Sequence, residues 1–138
     1  AGSELDGRTI PYDNSLEGLV SKKKDFIGKR SLDREAFVAE DRQKVVGVVP
    51  IDKITSIPEG SHLVKDAMAP IPNPKLGYIS ASCWSVEYDN PFSLAILKDG
   101  KNMIGQKLFA MSPLKNKTIP VEIVSSHYVD PKGERVRS

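Results

Sequence analysis

Three residues of this sequence carry side chains suited to nucleophilic catalysis or to metal binding: one cysteine and two histidines. A catalytic cysteine needs a base beside it and an electropositive, partly exposed setting. Cys83 lies far along the chain from His62 and His127, and no local motif marks a catalytic pair. The paired ligand spacing of structural zinc sites is also absent. We therefore expect a buried or bystander thiol, no catalytic residue and no metal site.

A second candidate is the basic stretch SKKKDFIGKRSL, residues 21–32, in which five Lys and Arg side chains surround a Phe-Ile pair. Such a cluster attracts anions locally. The net charge of the whole chain is only +2, from twenty basic and eighteen acidic residues, which argues against a dedicated nucleic-acid-binding protein. The stretch also lacks the spacing of a phosphate-binding loop. A local anion contact and a solvated helix entrance both remain open.

Two further groups carry possible binding chemistry. Trp84, Tyr88 and Phe92 surround a predicted turn, where the rings either stack on a flat ligand or close one end of a barrel; we favour closure. The tail DPKGERVRS, residues 130–138, contains Arg135, whose planar guanidinium suits bidentate contact with a carboxylate. A solvated terminus is the simpler interpretation of that tail.

The hydrophobic pattern predicts the elements that position these residues. Apolar positions at a spacing of about 3.6 residues predict a helix from about Ile27 to Glu40. After Gln43, short apolar, β-branched or alternating runs bounded by turn residues predict strands. Pro120 should confine the start of the last run to an edge or a bulge. The six runs are KVVGVVPI, SHLVKD, LGYISASCWSV, PFSLAILKD, QKLFAM and KTIPVEIVSSHYV.

These elements indicate a mainly β fold: a six-stranded antiparallel, Greek-key-like barrel preceded by one short helix and an extended N-terminal segment. Strands and helices do not alternate, which argues against a parallel sheet. The content of 39% hydrophobic and 28% charged residues is that of an ordinary globular chain. No apolar run approaches the length of a membrane span and no signal peptide is present. We expect a soluble cytoplasmic protein, and the Ala-Gly-Ser opening indicates a piece of a longer one.

The order of several segments resembles the C-terminal part of the aminomethyltransferase family, which includes the glycine-cleavage T-protein. DFIGK, residues 25–29, matches the helix start of the family in full. VVGVV, then EGSHLV, then GYISAS and an apolar strand follow in the order of the family. Ser85-Val86 departs from it, since Ser-Pro is expected there. The ending DPKGER is similar to the branch of heterotetrameric sarcosine oxidase α subunits, and the resemblance spans about residues 7–137.

The resemblance implies a function that depends on tetrahydrofolate. In that branch, this region assists the transfer of a one-carbon unit from an oxidised N-methyl amine to tetrahydrofolate. Residues 1–42 would be the tail end of the preceding folate-binding domain plus a linking helix, and residues 43–138 the C-terminal β-barrel domain. FAD or FMN and NAD would bind in other parts of the parent enzyme. Because the acidic residues that hold the pterin precede this stretch, we expect no turnover by this chain alone and folate binding weaker than millimolar.

The resemblance also implies folate contacts and partners. Lys22 and Lys24 would lie near the glutamate tail of the folate, where the family often has arginine, and Tyr128 and Arg135 would approach the ligand from the C-terminus. The expected partners are the upstream part of the same α subunit, the other sarcosine oxidase subunits and folate, with no nucleic acid and no membrane. A non-catalytic, subunit-bridging barrel remains the alternative. A small oligonucleotide-binding barrel is a third reading, against which the balanced charge weighs.

Overall fold

The computed structural model describes residues 4–70 and 72–137, and its main feature is a closed six-stranded antiparallel barrel. The order of strands around the barrel is β1-β4-β3-β2-β5-β6. Because β1 lies beside β4 rather than β2, the connection is of the Greek-key type. The predicted fold class is confirmed, and every predicted strand is present. The strands are β1 (Lys44–Pro50), β2 (His62–Val64), β3 (Gly77–Ser85), β4 (Asn90–Leu97), β5 (Lys107–Ser112) and β6 (Lys117–Val124).

Alternate side chains of the strands fill the barrel interior. Aliphatic residues from all six strands form one continuous core, as expected of a small barrel in which inward and outward positions alternate. Side chains fill such an interior, so a ligand site must lie at the ends or on the outside of the barrel. The most deeply buried core residues include Val46, Val48, Leu63, Ile79, Leu97, Leu108, Val121 and Ile123.

Pro120 lies where β6 has not yet begun to pair with β1. The first half of β6, through Pro120, pairs with β5, and the register with β1 starts at Val121. Proline has no N–H to donate to a neighbouring strand, so this position suits it. Its carbonyl oxygen accepts a hydrogen bond from the N–H of Ile51 at 3.0 Å. The expectation of an edge or a bulge holds only locally, since β6 pairs with β5 alone at Pro120 but with both β5 and β1 from Val121.

The segment before the barrel is less regular than predicted. Instead of one helix from Ile27 to Glu40, it forms a 3-10 helix at Lys29–Asp33 and one α-helical turn, α1, at Glu35–Val38. Arg34 separates the two, with extended backbone at φ −65° and ψ 141°. Neither piece buries a residue, and short helices are marginal without a packed face. The predicted extent of the helix is therefore wrong.

A second short helix, α2 (Glu134–Arg137), follows the barrel. No helix within the described ranges is long and apolar enough to cross a membrane.

Candidate functional site

Three aromatic rings join the C-terminal tail to the β3–β4 hairpin; we call Tyr88, Phe92 and Tyr128 the aromatic cluster. Tyr128 stacks on Phe92 with ring centroids 4.7 Å apart and planes 12° apart, and its centroid lies 4.6 Å from that of Tyr88. The Tyr128 hydroxyl accepts a hydrogen bond from Asn90 Nδ2 at 3.2 Å. Ring pairs at such distances stabilise a fold beyond the area they bury. Trp84, in contrast, stays half-exposed.

A hollow of about 470 Å³ lies beside the aromatic cluster. Its walls come from the β3–β4 turn and from the chain that follows β6, and they include Cys83, Glu87, Phe92, His127 and Tyr128. The size is within the range of small-molecule sites. We call this space the aromatic hollow. Of the predicted folate contacts, Tyr128 lines it, whereas Lys22 and Lys24 do not.

The C-terminal tail is anchored rather than simply solvated. Arg135 donates two hydrogen bonds to the carboxylate of Glu87, at 3.1 and 2.5 Å. The carboxylate of Asp130 accepts from the N–H groups of Glu134 and Arg135 at 2.9 and 3.0 Å. The hydrogen bond and charge of Arg135 lower the pKa of Glu87 below its usual value. A carboxylate at the rim of the aromatic hollow is thus ionised and already paired.

The cysteine and the two histidines do not form one site. Cys83 is exposed, and it lines the aromatic hollow together with His127. His62 instead lies in β2, opposite Tyr78 and Met111 in the sheet. Among the residues that the structure describes, no group of three His, Cys, Asp or Glu side chains is arranged to hold a metal ion.

The basic stretch forms an exposed loop that one of its own lysines stabilises. Lys29 Nζ donates to the carbonyl oxygens of Lys22 and Lys24 at 3.3 and 2.9 Å. The N–H of Lys24 donates to Ser21 Oγ at 2.9 Å, and Gly28 turns the chain with φ 90°. The Lys29 ammonium group is therefore hydrogen-bonded within the loop, while the side chains of Lys22 and Lys24 are exposed to solvent.

A buried ion pair that the sequence did not reveal holds the N-terminal segment in place. Asp13 is only 4% exposed, and both of its carboxylate oxygens accept hydrogen bonds from Arg42, one of them from Nε at 2.8 Å. Arg42 also donates to the carbonyl oxygen of Ala36 at 2.8 Å and lies 5.2 Å from the centre of the Phe37 ring. The N–H of Ile10 donates to Asp13 Oδ2 at 3.0 Å. One carboxylate thus joins the N-terminal segment to α1.

The same segment is joined to the entrance of the barrel. The N–H of Val45 donates to the carbonyl oxygen of Asp13 at 2.6 Å, and Lys44 forms an ion pair with Glu17. Burial raises the pKa of Glu17, but the Lys44 hydrogen bond and charge act in the other direction, and the net result is a lowered pKa. No sequence pattern marks these contacts, since they join a polar turn to a strand about thirty residues away.

Comparison with known proteins places these features in context. No family model matches the chain. The α subunits of sarcosine oxidase from Rhizobium meliloti (strain 1021) and Corynebacterium sp. (strain U-96) are 35% and 38% identical to it over 136 residues. Its sequence relatives are sarcosine oxidase α subunits. The resemblance predicted from DFIGK and the segments after it is confirmed. The match covers 97% of this chain but only 14% of the length of those sarcosine oxidase subunits.

The fold is that of part of an aminomethyltransferase. The crystal structure of glycine cleavage system aminomethyltransferase T from Bartonella henselae superimposes with a TM-score of 0.69, over 92% of this chain and 34% of the other. The two are 19% identical in sequence, so this likeness concerns the fold alone. A sequence similar to sarcosine oxidase α subunits therefore adopts an aminomethyltransferase-like barrel.

Proposed function

We propose that this chain is the C-terminal, folate-side barrel of a sarcosine oxidase α subunit. There it assists the transfer of a one-carbon unit from an oxidised N-methyl amine to tetrahydrofolate. One observation carries the proposal: a chain whose sequence relatives along 97% of its length are sarcosine oxidase α subunits has the fold of part of an aminomethyltransferase T. The likeness to sarcosine oxidase α subunits is the basis for the proposed oxidation of an N-methyl amine. The likeness to an aminomethyltransferase is the basis for the proposed transfer of the one-carbon unit.

In this proposal the chain shapes and closes a folate site rather than supplying a reactive group. Flavin elsewhere in the parent enzyme supplies the oxidation of the N-methyl amine, and the amine nitrogens of tetrahydrofolate take the carbon. The aromatic hollow offers an aromatic wall to a flat part of such a ligand, because Phe92 and Tyr128 line it. Any activity of the barrel therefore depends on the rest of the subunit.

Exposed apolar side chains between residues 4 and 42 support the assignment of residues 1–42 to the end of a preceding folate-binding domain. Leu19, Ile27 and Val38 are 81%, 105% and 56% exposed; we call them the apolar N-terminal surface. Three large apolar side chains exposed within one short segment favour a surface that another part of the protein covers, provided that they form one patch. Because the chain corresponds to 14% of the length of its relatives, we infer that the upstream part of the α subunit covers it. Residues 43–138 then form the barrel domain.

Tyr128 and Arg135 remain proposed folate contacts because both lie around the aromatic hollow. Tyr128 lines it, and Arg135 pairs with Glu87 on its rim. The two partners of that ion pair are 64% and 41% exposed, so a ligand carboxylate can replace Glu87 without opening the core. The Arg135 guanidinium would then keep its bidentate geometry.

Lys22 and Lys24 are proposed to attract the glutamate tail of the folate as point charges. In the full-length protein, replacing both with Ala should weaken binding of polyglutamylated folate more than binding of the monoglutamate, as measured by calorimetry. The matched control replaces Lys115 and Lys117, two exposed lysines of the β5–β6 hairpin, and should change neither affinity. Equal losses for the two folates would remove this role.

The function itself is tested by copurifying the full-length chain with its partner subunits. We expect bound flavin, and we expect an N-methyl amine and tetrahydrofolate to yield 5,10-methylenetetrahydrofolate in place of free formaldehyde. A complex without flavin, or one that releases formaldehyde equally with and without tetrahydrofolate, would contradict the proposal. It would favour the non-catalytic, subunit-bridging barrel.

A further inference from the structure

The end of the β3–β4 hairpin exposes two large apolar side chains that lie two positions apart. Trp84 is 52% exposed and Val86 is 89% exposed. Exposed apolar side chains that lie together are typical of a surface that binds another protein, and Trp is enriched among the residues that contribute most to such binding. We call residues 84–89 the hairpin tip.

Trp84 lies on the opposite face of β3 from the aromatic hollow. Successive side chains of a strand point to opposite faces. Cys83 and Ser85 both line the hollow, and Trp84, which lies between them, does not. Contacts made by the Trp84 ring therefore belong to a different surface from the proposed folate site.

The backbone of Trp84 lies at an edge of the sheet that β2 does not reach. β2 is three residues long and, within the residues that the structure describes, it pairs only with the first two residues of β3. The chain before β2 covers the next part of the edge as far as Ser82, whose N–H donates to Glu59 Oε1 at 3.2 Å. Trp84 follows two positions later, where neither β2 nor that loop pairs with β3.

The N–H and C=O of Trp84 point to this open edge rather than to β4. Backbone groups of alternate residues in a strand point to the same side, and the N–H of Ser82 points away from β4 to Glu59. Opposite Trp84 in β4 lies Pro91, which has no N–H to donate. Across the described ranges, no hydrogen bond joins these two groups to a segment outside the ladder. One donor and one acceptor are thus available to another chain.

The hairpin tip is held in position by the chain itself. Tyr88 packs on Tyr128, and Glu87 is paired with Arg135. A surface that is already ordered loses little conformational entropy when a partner binds. Natural proteins commonly protect an open strand edge with a charged side chain or a proline, whereas Trp84 presents an apolar ring. The position therefore suits pairing with another chain.

A separate subunit is the occupant that the position of the hairpin tip favours. The tip lies where β1 ends, because β4 is antiparallel to β1. The N-terminal segment contacts the start of β1 at Val45, and we propose above that the upstream part of the α subunit covers that segment. The seven residues of β1 separate the two ends by about 23 Å. The sequence relatives are named as α subunits, so each of those enzymes has a further subunit.

We propose that the hairpin tip docks an extended, apolar segment of a different subunit of the parent enzyme. The segment adds to the edge of β3 as a short strand: it accepts a hydrogen bond from the N–H of Trp84 and donates one to the Trp84 carbonyl oxygen. Its apolar side chains pack on Trp84 and Val86. The inference rests on the proposed function, since it takes this chain as part of an α subunit.

Photo-cross-linking in the full-length chain, coexpressed with its partner subunits, identifies the occupant. The photoreactive amino acid 4-benzoylphenylalanine takes the place of Val86, whose side chain is already in solvent. We expect a cross-link to a partner subunit, located by mass spectrometry. The same amino acid in place of Lys115, an exposed residue of the β5–β6 hairpin, is the matched control and should not cross-link to that subunit.

Substitutions at Trp84 measure the two parts of the contact in the same complex. Trp84→Ala should weaken association with the partner subunit about 30-fold, the effect of losing a Trp that contributes strongly to an interface. Trp84→Pro also removes the N–H and should weaken association about fivefold more, the net effect of one hydrogen bond. Thr118→Ala, at an exposed position of β6 three strands away around the barrel, should have no effect. Sedimentation at decreasing concentration gives the dissociation constants.

Several results would overturn the inference. A cross-link to the upstream part of the same subunit or to a second α subunit, or no cross-link, would exclude a partner subunit as the occupant. A Trp84→Ala complex as tight as the Thr118→Ala complex would exclude the docking surface. Equal affinities of the Ala and Pro variants at Trp84 would exclude the added strand, and so would a Pro variant that unfolds, because the N–H would then belong to the ladder.

The wild-type complex separates these results from a failure of the proposed function. If it carries flavin and forms 5,10-methylenetetrahydrofolate, the results above overturn the docking inference alone. If it does neither, the proposed function is contradicted, and the docking inference that rests on it is contradicted as well.

Discussion

At the scale of single residues, the Asp13–Arg42 ion pair determines how the N-terminal segment lies on the barrel. The Asp13 carboxylate is buried, and burial of a charge is costly unless its partners compensate for it. Arg42 and the N–H of Ile10 supply that compensation. The pair also connects Asp13 to α1 through Ala36. Loss of either partner should therefore affect the whole N-terminal segment.

Arg42→Met should lower the free energy of unfolding by about 3 kcal/mol, because it leaves a buried carboxylate without its cation. Urea denaturation at neutral pH measures this. Adding Asp13→Asn should restore part of the loss, since no buried charge is then left unpaired. Arg8→Met, which removes a solvent-exposed pair with Asp6, is the control and should have no measurable effect. An Arg42 variant as stable as this control would show that Asp13 is solvated in solution.

At the scale of the elements, the start of β3 leaves no room for a side chain beside β4. A Cβ atom at Gly77 would lie 2.1 Å from the carbonyl oxygen of Ile96 and 2.9 Å from the Cα of Leu97. Both neighbours are backbone atoms of the paired strand, so they cannot move aside as a flexible side chain would. Glycine is needed here because a Cβ atom would overlap the backbone of the paired strand.

Gly77→Ala should destabilise the barrel by about 1–3 kcal/mol, the usual cost of forcing extra atoms into a packed region. Thermal denaturation gives the change, and faster amide hydrogen exchange in β3 and β4 would locate it. Gly18→Ala is the matched control, because nothing lies within 4 Å of a Cβ atom there. If the two variants melt at the same temperature, β3 and β4 leave room for a Cβ atom at position 77.

At the scale of the whole molecule, the barrel and the segment before it differ in how they are stabilised. The barrel has a continuous core built from all six strands. The segment has short helical pieces that bury no side chain and is held mainly by polar contacts. A domain whose stability comes from its own core should fold without the rest of a larger protein, whereas the apolar N-terminal surface needs a neighbour.

Leu19→Asp combined with Ile27→Asp should leave the melting temperature of this chain unchanged, because both side chains are already in water. The same pair of changes should lower the melting temperature of the full-length protein, where we propose that the upstream part covers them. Lys115→Asp, at an exposed polar position of the β5–β6 hairpin, should be neutral in both. A full-length protein that tolerates the double change would show that this surface faces solvent.

Much of the fold could be predicted because strands leave a local trace in a sequence. Apolar and β-branched runs such as 91–98 end at turn residues such as Asp99-Gly100, and both signals lie within a few neighbouring positions. The helix prediction failed for a related reason. Ile27 has the spacing of a packed helical face, but no part of the described chain covers it. Without a surface to pack against, the predicted apolar face does not stabilise a long helix.

The candidate site was predictable only in part. Tyr128 and Arg135 were identified through the resemblance of the chain ending to a known family, but their surroundings were not. Arg135 meets Glu87 across 48 positions, and Arg42 meets Asp13 across 29. Neither separation follows from any local rule.

The sequence by itself determined six strands, their turns and the kind of barrel they form, because each depends on residues close together in the chain. Only the tertiary structure decided which charges are paired, which lysines are left free and which apolar residues face outward. Those outcomes depend on the close approach of distant segments, and closure of the barrel sets that approach.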